Sequence, residues 1–294
     1  VLPPLFDNIF AAIEKWMREL LTGMVESNMS TMFTDVNEKT SEIAAQVGRT
    51  PQNWNSSVFS MIQNLSESVV VPIAGIIITL VLCYELISML TERNNLHDVD
   101  TWMFFKYFVK AWVAIYLVSN TFTITMAVFD VGQSVVNSAS GIINGETAID
   151  VSSLSMQMQA AMATMEIGEL VVLALETFLV SFCMKIMSVV ITVIVYGRMI
   201  EIYLYTSLAP IPFATMSNRE WGHVGTNYFR GLFALAFQAF LMMVCVAIYA
   251  ALISSVRISS NMHSALIGVA AYTVILCFSL MKTGSLSKQI FGSH

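Results

Sequence analysis

The residues in this chain that could do chemistry are the few polar ones standing inside apolar runs. Glu85, Lys110, Glu176 and Lys185 each lie in such a run, and Gln238 lies in another. A charge held against lipid is costly, so each of these side chains has to face another helix, another subunit or water. Two uses fit that requirement. They can relay protons or ions, as in a transporter, or they can be structural polar contacts between helices or subunits. Glu85 and Lys110 sit near the same end of neighbouring runs, which makes them partners unless each reaches headgroups separately. Glu176 and Lys185 are nine residues apart, on opposite sides of one helix, and so do not pair with each other. No internal repeat is visible, which weighs against a carrier and towards structural contacts.

Other constellations carry less. His97, Asp98 and Asp100 have metal-ligand types, but they stand in a short polar loop with no second ligand cluster at usable spacing. Met158, Met162 and Met165 recur at helical spacing with Met156 nearby, a pattern that reads as packing and not as copper binding. The serines of VNSASG lack a placed histidine. There is no HExxH, no GxxxxGK[ST] and no GxGxxG, so no zinc, nucleotide or dinucleotide site is expected and no cofactor is assigned. Cys83, Cys183, Cys245 and Cys277 all lie in apolar runs, as small hydrophobes and not as a disulfide framework. The chain reads as a non-enzyme. Its net charge of -6 gives no sign of a basic nucleic-acid surface.

The elements that hold these residues follow from hydropathy. Of 294 residues, 56% are hydrophobic and 12% charged, about half the charged share of a soluble domain. Apolar runs at Val69–Leu90, Phe104–Phe129, Ile167–Tyr196, Tyr228–Val256 and Ser264–Met281 are long enough to span a bilayer as helices. The expectation is an all-α polytopic membrane protein with about five transmembrane helices and amphipathic N-terminal and elbow helices; the alternation of a β-barrel is missing. Pro72 should kink the first span or start a separate helix. The third span is too long for the hydrocarbon core and must tilt or protrude. Ser264, Gly268 and Ala271 give the fifth a small-residue face for close helix contact.

Five segments are expected. Residues 1–67 form extracytoplasmic amphipathic helices, 68–129 the first two spans, 130–166 an extracytoplasmic loop, 167–227 the third span with a cytoplasmic elbow, and 228–294 the last two spans with a cytoplasmic tail. In the first segment Leu5, Ile9, Ile13, Trp16, Met17, Leu20 and Met24 share one helical face, suited to the membrane interface, a neighbouring subunit or the chain's own outer layer. Thr34–Val47 reads as a second short helix, TPQNWN as a turn, and Ser57–Leu65 as a helix leading into the first span. Asn144-Gly145 is a hairpin signal in the loop. No cleavable signal peptide is expected, since the first ten residues lack Lys and Arg. Arg93, Lys106, Lys110, Arg198, Arg219, Arg230, Lys282 and Lys288 fall on one side and Arg257 on the other, which places the N-terminus outside and the C-terminus in the cytoplasm.

Between the third and fourth runs lies GRMIEIYLYTSLAPIPFATMSNREW, residues 197–221. Gly197-Arg198 breaks the apolar run, and Pro210 and Pro212 should force an extended stretch. The segment reads as an interfacial elbow or shallow re-entrant turn and not as a further span.

This elbow, with LPPLFDNIFAAIEKWMRELL, VVPIAGIIITLVLCYELISML and KTGSLSKQIF, resembles the TrbL-like conjugal transfer proteins of conjugative transposons in Gram-positive bacteria. The resemblance extends over nearly the whole chain. Arg198, Glu201, Tyr203, Pro210, Pro212, Arg219, Glu220 and Trp221 match its most recognisable motif. It implies a polytopic cytoplasmic-membrane subunit of a type IV secretion system that frames a path for DNA–protein transfer. It also implies a homo-oligomer, with a pentamer the best guess, working with other secretion subunits including ATPases, with membrane lipids and with transiting single-stranded DNA bound to relaxase. It brings no catalytic residues. Two other readings stand beside it: a secondary transporter or ion channel built on Glu85, Glu176 and Lys185, and an assembly scaffold without a lumen of its own.

Overall fold

A computed structural model describes residues 4–91, 101–143, 151–256 and 262–293. His97, Asp98, Asp100 and the Asn144-Gly145 hairpin signal lie outside the described residues, as do Arg93 and Arg257. The described residues form helices and no strand, and five helical segments are long and apolar enough to cross a membrane. The protein is an all-α polytopic membrane protein.

In chain order the helices are α1 (Pro4–Val47), α2 (Pro51–Trp54), α3 (Ser56–Leu65), α4 (Val71–Thr91), α5 (Thr101–Ser119), α6 (Thr121–Ile143), α7 (Val151–Met162), α8 (Ile167–Ser207), α9 (Pro210–Thr215), α10 (Gly222–Ser254) and α11 (Met262–Phe291). Two compact units divide the chain. One holds Val1–Ala45, Ser140–Ile194 and Met243–Met281, and the other holds Gln46–Ala139, Val195–Met242 and Lys282–His294.

Several expected boundaries move. The N-terminal region is one helix of 44 residues, not two helices. Residues 25–33 contain no Gly or Pro, and Val25, Met29, Met32, Phe33 and Val36 carry one buried stripe across the expected gap. The TPQNWN turn contains α2. Thr50 caps it by accepting from the Asn53 N–H, and Asn55 Oδ1 then caps α3 by accepting from the N–H groups of Ser57 and Val58 at 3.1 and 3.0 Å. A π-helical turn at Ser66–Val70, in which the Val71 N–H reaches back to the Ser66 carbonyl, joins α3 to α4. Pro72, which has no N–H to give, follows directly in the first turn of α4, within a helical segment that runs from Ser56 to Thr91.

The second span does not run to Phe129. It stops at Ser119, and α6 begins after Asn120. There the Asn120 side chain donates to the Tyr116 carbonyl at 2.9 Å, and the Thr121 hydroxyl donates to Leu117 and Val118 carbonyls at 2.8 and 2.9 Å. Side chains bonding back onto the preceding turn compete with the regular ladder. The stretch expected as a loop from Asp130 is helical to Ile143 and again in α7. The third span continues unbroken through Gly197 and Arg198 to Ser207. Pro210 and Pro212 do not force extended backbone either. They open α9, where Pro belongs in a first turn whose N–H groups have no intrahelical partner.

The first unit packs α1 against α8. Arg18 donates to the Met165 carbonyl at 2.7 Å, Asn28 to the Thr177 hydroxyl at 3.4 Å, and Lys39 to the Thr192 hydroxyl at 2.9 Å. In the same unit the Tyr249 and Thr273 hydroxyls of α10 and α11 bond at 2.9 Å. The core of the second unit has three parts. Ala74, Ile78 and Leu82 of α4 meet Ala114 and Val118 of α5 around Phe213 of α9. Met199 and Ile202 meet Val128, Phe129, Leu232 and Leu235. Ile62 and Phe122 close on Tyr203.

Candidate functional site

The elbow connects α8 to α10 through α9. At its centre Tyr205 and Tyr228 stack with ring centroids 4.4 Å apart and planes 7° apart. Each hydroxyl donates to the other residue's main-chain carbonyl, Tyr205 at 3.1 Å and Tyr228 at 2.6 Å. This reciprocal pair clamps the end of α8 to the start of α10. It needs a glycine beside it: a Cβ at Gly231 would stand 2.2 Å from the Tyr205 hydroxyl. Six residues earlier, a Cβ at Gly225 would stand 2.4 Å from the Pro212 carbonyl oxygen, so α9 and α10 approach backbone to backbone. Asn218 Oδ1 accepts from the N–H groups of Glu220 and Trp221 at 2.7 and 3.0 Å and turns the chain into α10.

The motif residues take distinct places around this clamp. Tyr203 donates to the Pro51 carbonyl at 2.6 Å and lies against Trp54 with centroids 5.9 Å apart. Glu201 pairs with Lys288 of α11 at 3.1 Å. Glu220 accepts from the Tyr84 hydroxyl at 3.0 Å with both carboxylate oxygens, while Trp221 stacks on the Tyr84 ring at 5.7 Å. Pro210 is buried as the first residue of α9, with Pro212 two places on, and Arg219 is exposed. Arg198 is buried. One guanidinium nitrogen donates to the Leu235 carbonyl at 3.3 Å, and Nε has no partner among the described residues.

A family model for TrbL/VirB6 plasmid conjugal transfer like proteins matches residues 36–210, more than half of the chain. The chain belongs to this family. Comparison with curated proteins and with solved structures finds no match. The TrbL/VirB6-like region takes in Arg198, Glu201, Tyr203 and Pro210 of the elbow and ends before Pro212, Arg219, Glu220 and Trp221.

The polar residues within the spans of this TrbL/VirB6-like chain separate into pairs. Lys110 Nζ lies 2.6 Å from Glu85 Oε1, with Lys110 the more exposed of the two. Glu176 bonds to His263 at the start of α11. Gln238 is buried and donates to the Thr283 hydroxyl at 3.4 Å, and its own oxygen has no partner among the described residues. Lys185 stands apart. It is exposed on α8 and has no carboxylate partner among the described residues. Glu176 and Lys185 are not brought together. No group of three His, Cys, Asp or Glu side chains suited to a metal occurs among the described residues.

Sequence reasoning missed Tyr205, Tyr228, Asn218, Gly225, Gly231 and His263. The two tyrosines sit at ordinary spacing in apolar helices, and nothing local marks them as partners 23 residues apart. His263, at the start of α11, gave no cue towards a carboxylate 87 residues away. The one available signal was SNREW after a proline pair, where an Asn two residues before Glu220 suits an Asx turn.

Proposed function

We propose that this chain is a membrane-embedded structural and translocation subunit of a type IV secretion channel. It oligomerises in the cytoplasmic membrane of a Gram-positive bacterium, N-terminus outside and C-terminus inside, and frames a path for DNA–relaxase complexes. The energy comes from ATP-driven partner subunits. A pentamer is the expected assembly, with lipids and other secretion subunits around it.

Beyond family membership, one observation supports an assembly over a lone carrier. Lys185 has no carboxylate partner among the described residues and stands among the exposed apolar residues Phe182, Ile186 and Val189 of α8. An ammonium there facing lipid is costly by several kcal/mol, roughly 3 on insertion scales. A neighbouring subunit or a wet surface has to receive it. Glu85 and Glu176, the other members of a possible relay, already have partners within the chain.

In-frame deletion of the gene should collapse mating frequency, and the intact gene supplied in trans should restore it. Unchanged transfer would remove the conjugation reading and bring forward ion-coupled flux by the purified chain in liposomes. In the same assay Lys185→Ala should lower both transfer and recovery of the oligomer from the membrane. Full transfer and a normal oligomer in Lys185→Ala and Glu176→Ala would take these two residues out of the mechanism.

A further inference from the structure

Hydrogen bonds fix the direction in which α1 lies along α8. Arg18 meets Met165, Asn28 meets Thr177, and Lys39 meets Thr192, so residue numbers rise together and the helices run parallel. The stretch of α8 beside Asn28–Lys39 is its most apolar part. Phe178–Val195 contains a single charge, Lys185. Its outward residues Phe178, Leu179, Phe182, Ile186, Val189 and Val193 are 46–65% exposed, as a surface solvated by acyl chains would be.

A small cavity of about 20 Å³ puts α1 at the same level by a second route. Asp35, Lys39 and Thr40 line it together with Ser188, Tyr249 and Thr273. Ser188 is near the middle of Phe178–Val195, and Thr273 is near the middle of the apolar run Ser264–Met281. Asp35–Thr40 therefore lies level with the middles of two spans of its own unit. Val36, Met184, Ile191 and Leu276 supply the cavity's apolar walls.

The outward face of α1 at this level is unlike that of α8. Ser27, Ser30, Thr31, Thr34, Glu38 and Ser41 are exposed and follow one helical face, while the opposite face buries Val25, Met29, Met32, Phe33, Val36 and Ile43. The Thr31 hydroxyl is satisfied within the helix by the Ser27 carbonyl at 2.8 Å, but the Glu38 carboxylate is not solvated by hydrocarbon, and a charged group at mid-bilayer has to meet water or a partner. One copy alone has lipid on that side, so water there requires a wall made by further copies.

We propose that Val25–Ile43 of α1 lies at bilayer depth beside α8 and that its Ser27, Ser30, Thr34, Glu38 and Ser41 face lines a water-filled lumen enclosed by copies of this chain. This deepens the channel-subunit reading and rests on it. It places this part of α1 within the membrane rather than in an extracytoplasmic layer. The lining is hydroxyl-rich and carries no outward cation, so it offers a phosphate backbone or an extended polypeptide little to adhere to.

The test uses the full-length oligomer in nanodiscs, with Cys83, Cys183, Cys245 and Cys277 replaced by alanine and single nitroxide labels on new cysteines. Phe182→Cys and Val189→Cys report the level of α8. Thr34→Cys and Ser41→Cys report α1, with Ser30→Cys as a second α1 site should either fail to assemble. Oxygen, enriched in lipid, and a water-soluble nickel chelate are the collision probes. The α8 labels should collide more with oxygen and the α1 labels more with the chelate, a reversal of the ratio at one depth. Chelate access at all positions would mean that this level is outside the bilayer and would overturn the proposal. Oxygen-dominated α1 labels, or α1 labels closed to both probes, would also overturn it. If the ratio fails to reverse while deletion still abolishes mating, the lumen falls and the conjugation subunit stands. If it reverses while mating is unaffected, the lumen stands and serves another cargo.

Discussion

Tyr228→Ala is expected to lower the stability of the detergent-solubilised protein by about 3 kcal/mol, the scale of deleting a large buried aromatic ring. Tyr228 is 9% exposed, stacks on Tyr205 and meets Phe213 edge-on at 6.0 Å. Its removal leaves a void where α8, α9 and α10 meet. Tyr228→Phe keeps the ring and loses only the hydroxyl's bond to the Tyr205 carbonyl. Single hydrogen bonds in membrane proteins contribute on the order of 0.6 kcal/mol, so this variant should lie close to wild type. Graded SDS unfolding followed by far-UV circular dichroism separates the two. Equal losses in both variants would mean that the hydroxyl, and not ring packing, holds the elbow.

Gly225→Ala should have the second largest effect, a loss of about 1–3 kcal/mol by overpacking. The new methyl would sit 2.4 Å from the Pro212 carbonyl oxygen and 2.1 Å from Met216 Cγ. The methionine side chain can swing away, but the backbone carbonyl moves only if α9 shifts against α10. Gly75→Ala in α4 is the control, because a Cβ there meets nothing within 4 Å. Alanine is the better helix former by about 0.8–1 kcal/mol, so Gly75→Ala should be neutral to stabilising. The opposite signs distinguish close backbone approach from a general intolerance of larger side chains. A neutral Gly225→Ala would show that α9 has room to retreat.

Both positions show where reading the sequence stops. Apolar length announced the spans, and the polar motif announced the elbow. The grip between α8 and α10, however, depends on two tyrosines and two glycines that look ordinary in place. A glycine in an apolar helix carries no sign of what approaches it: Gly75 faces open space and Gly225 a carbonyl oxygen. Polar pairing divides in the same way. Glu85 and Lys110 stand near matching ends of helices adjacent in sequence, so proximity was readable from their order in the chain. Glu176 and His263 belong to helices whose relative rotation is set by packing, and that lies beyond any local pattern.

Local rules were also overridden where packing had more to offer. Pro restricts the residue before it, yet Ala209 is helical at φ -51°, ψ -39° and α9 forms with Phe213 and Ala214 buried. In α1 the polar run between Met24 and Thr34 looked like a connection. Its buried residues sit at helical spacing, and a neighbour able to cover them makes one helix of the whole.

The sequence by itself determined that this is an all-α polytopic membrane protein of a conjugal-transfer type. Hydropathy is a sum over neighbouring residues, and a run long enough to span needs no partner to be recognised. Tertiary structure alone decided which polar groups meet, that Lys185 is left without a carboxylate partner among the described residues, and which face of α1 is polar and bare. Those outcomes depend on the rotation and register of one helix against another, fixed by how side chains from distant parts of the chain fill the space between them.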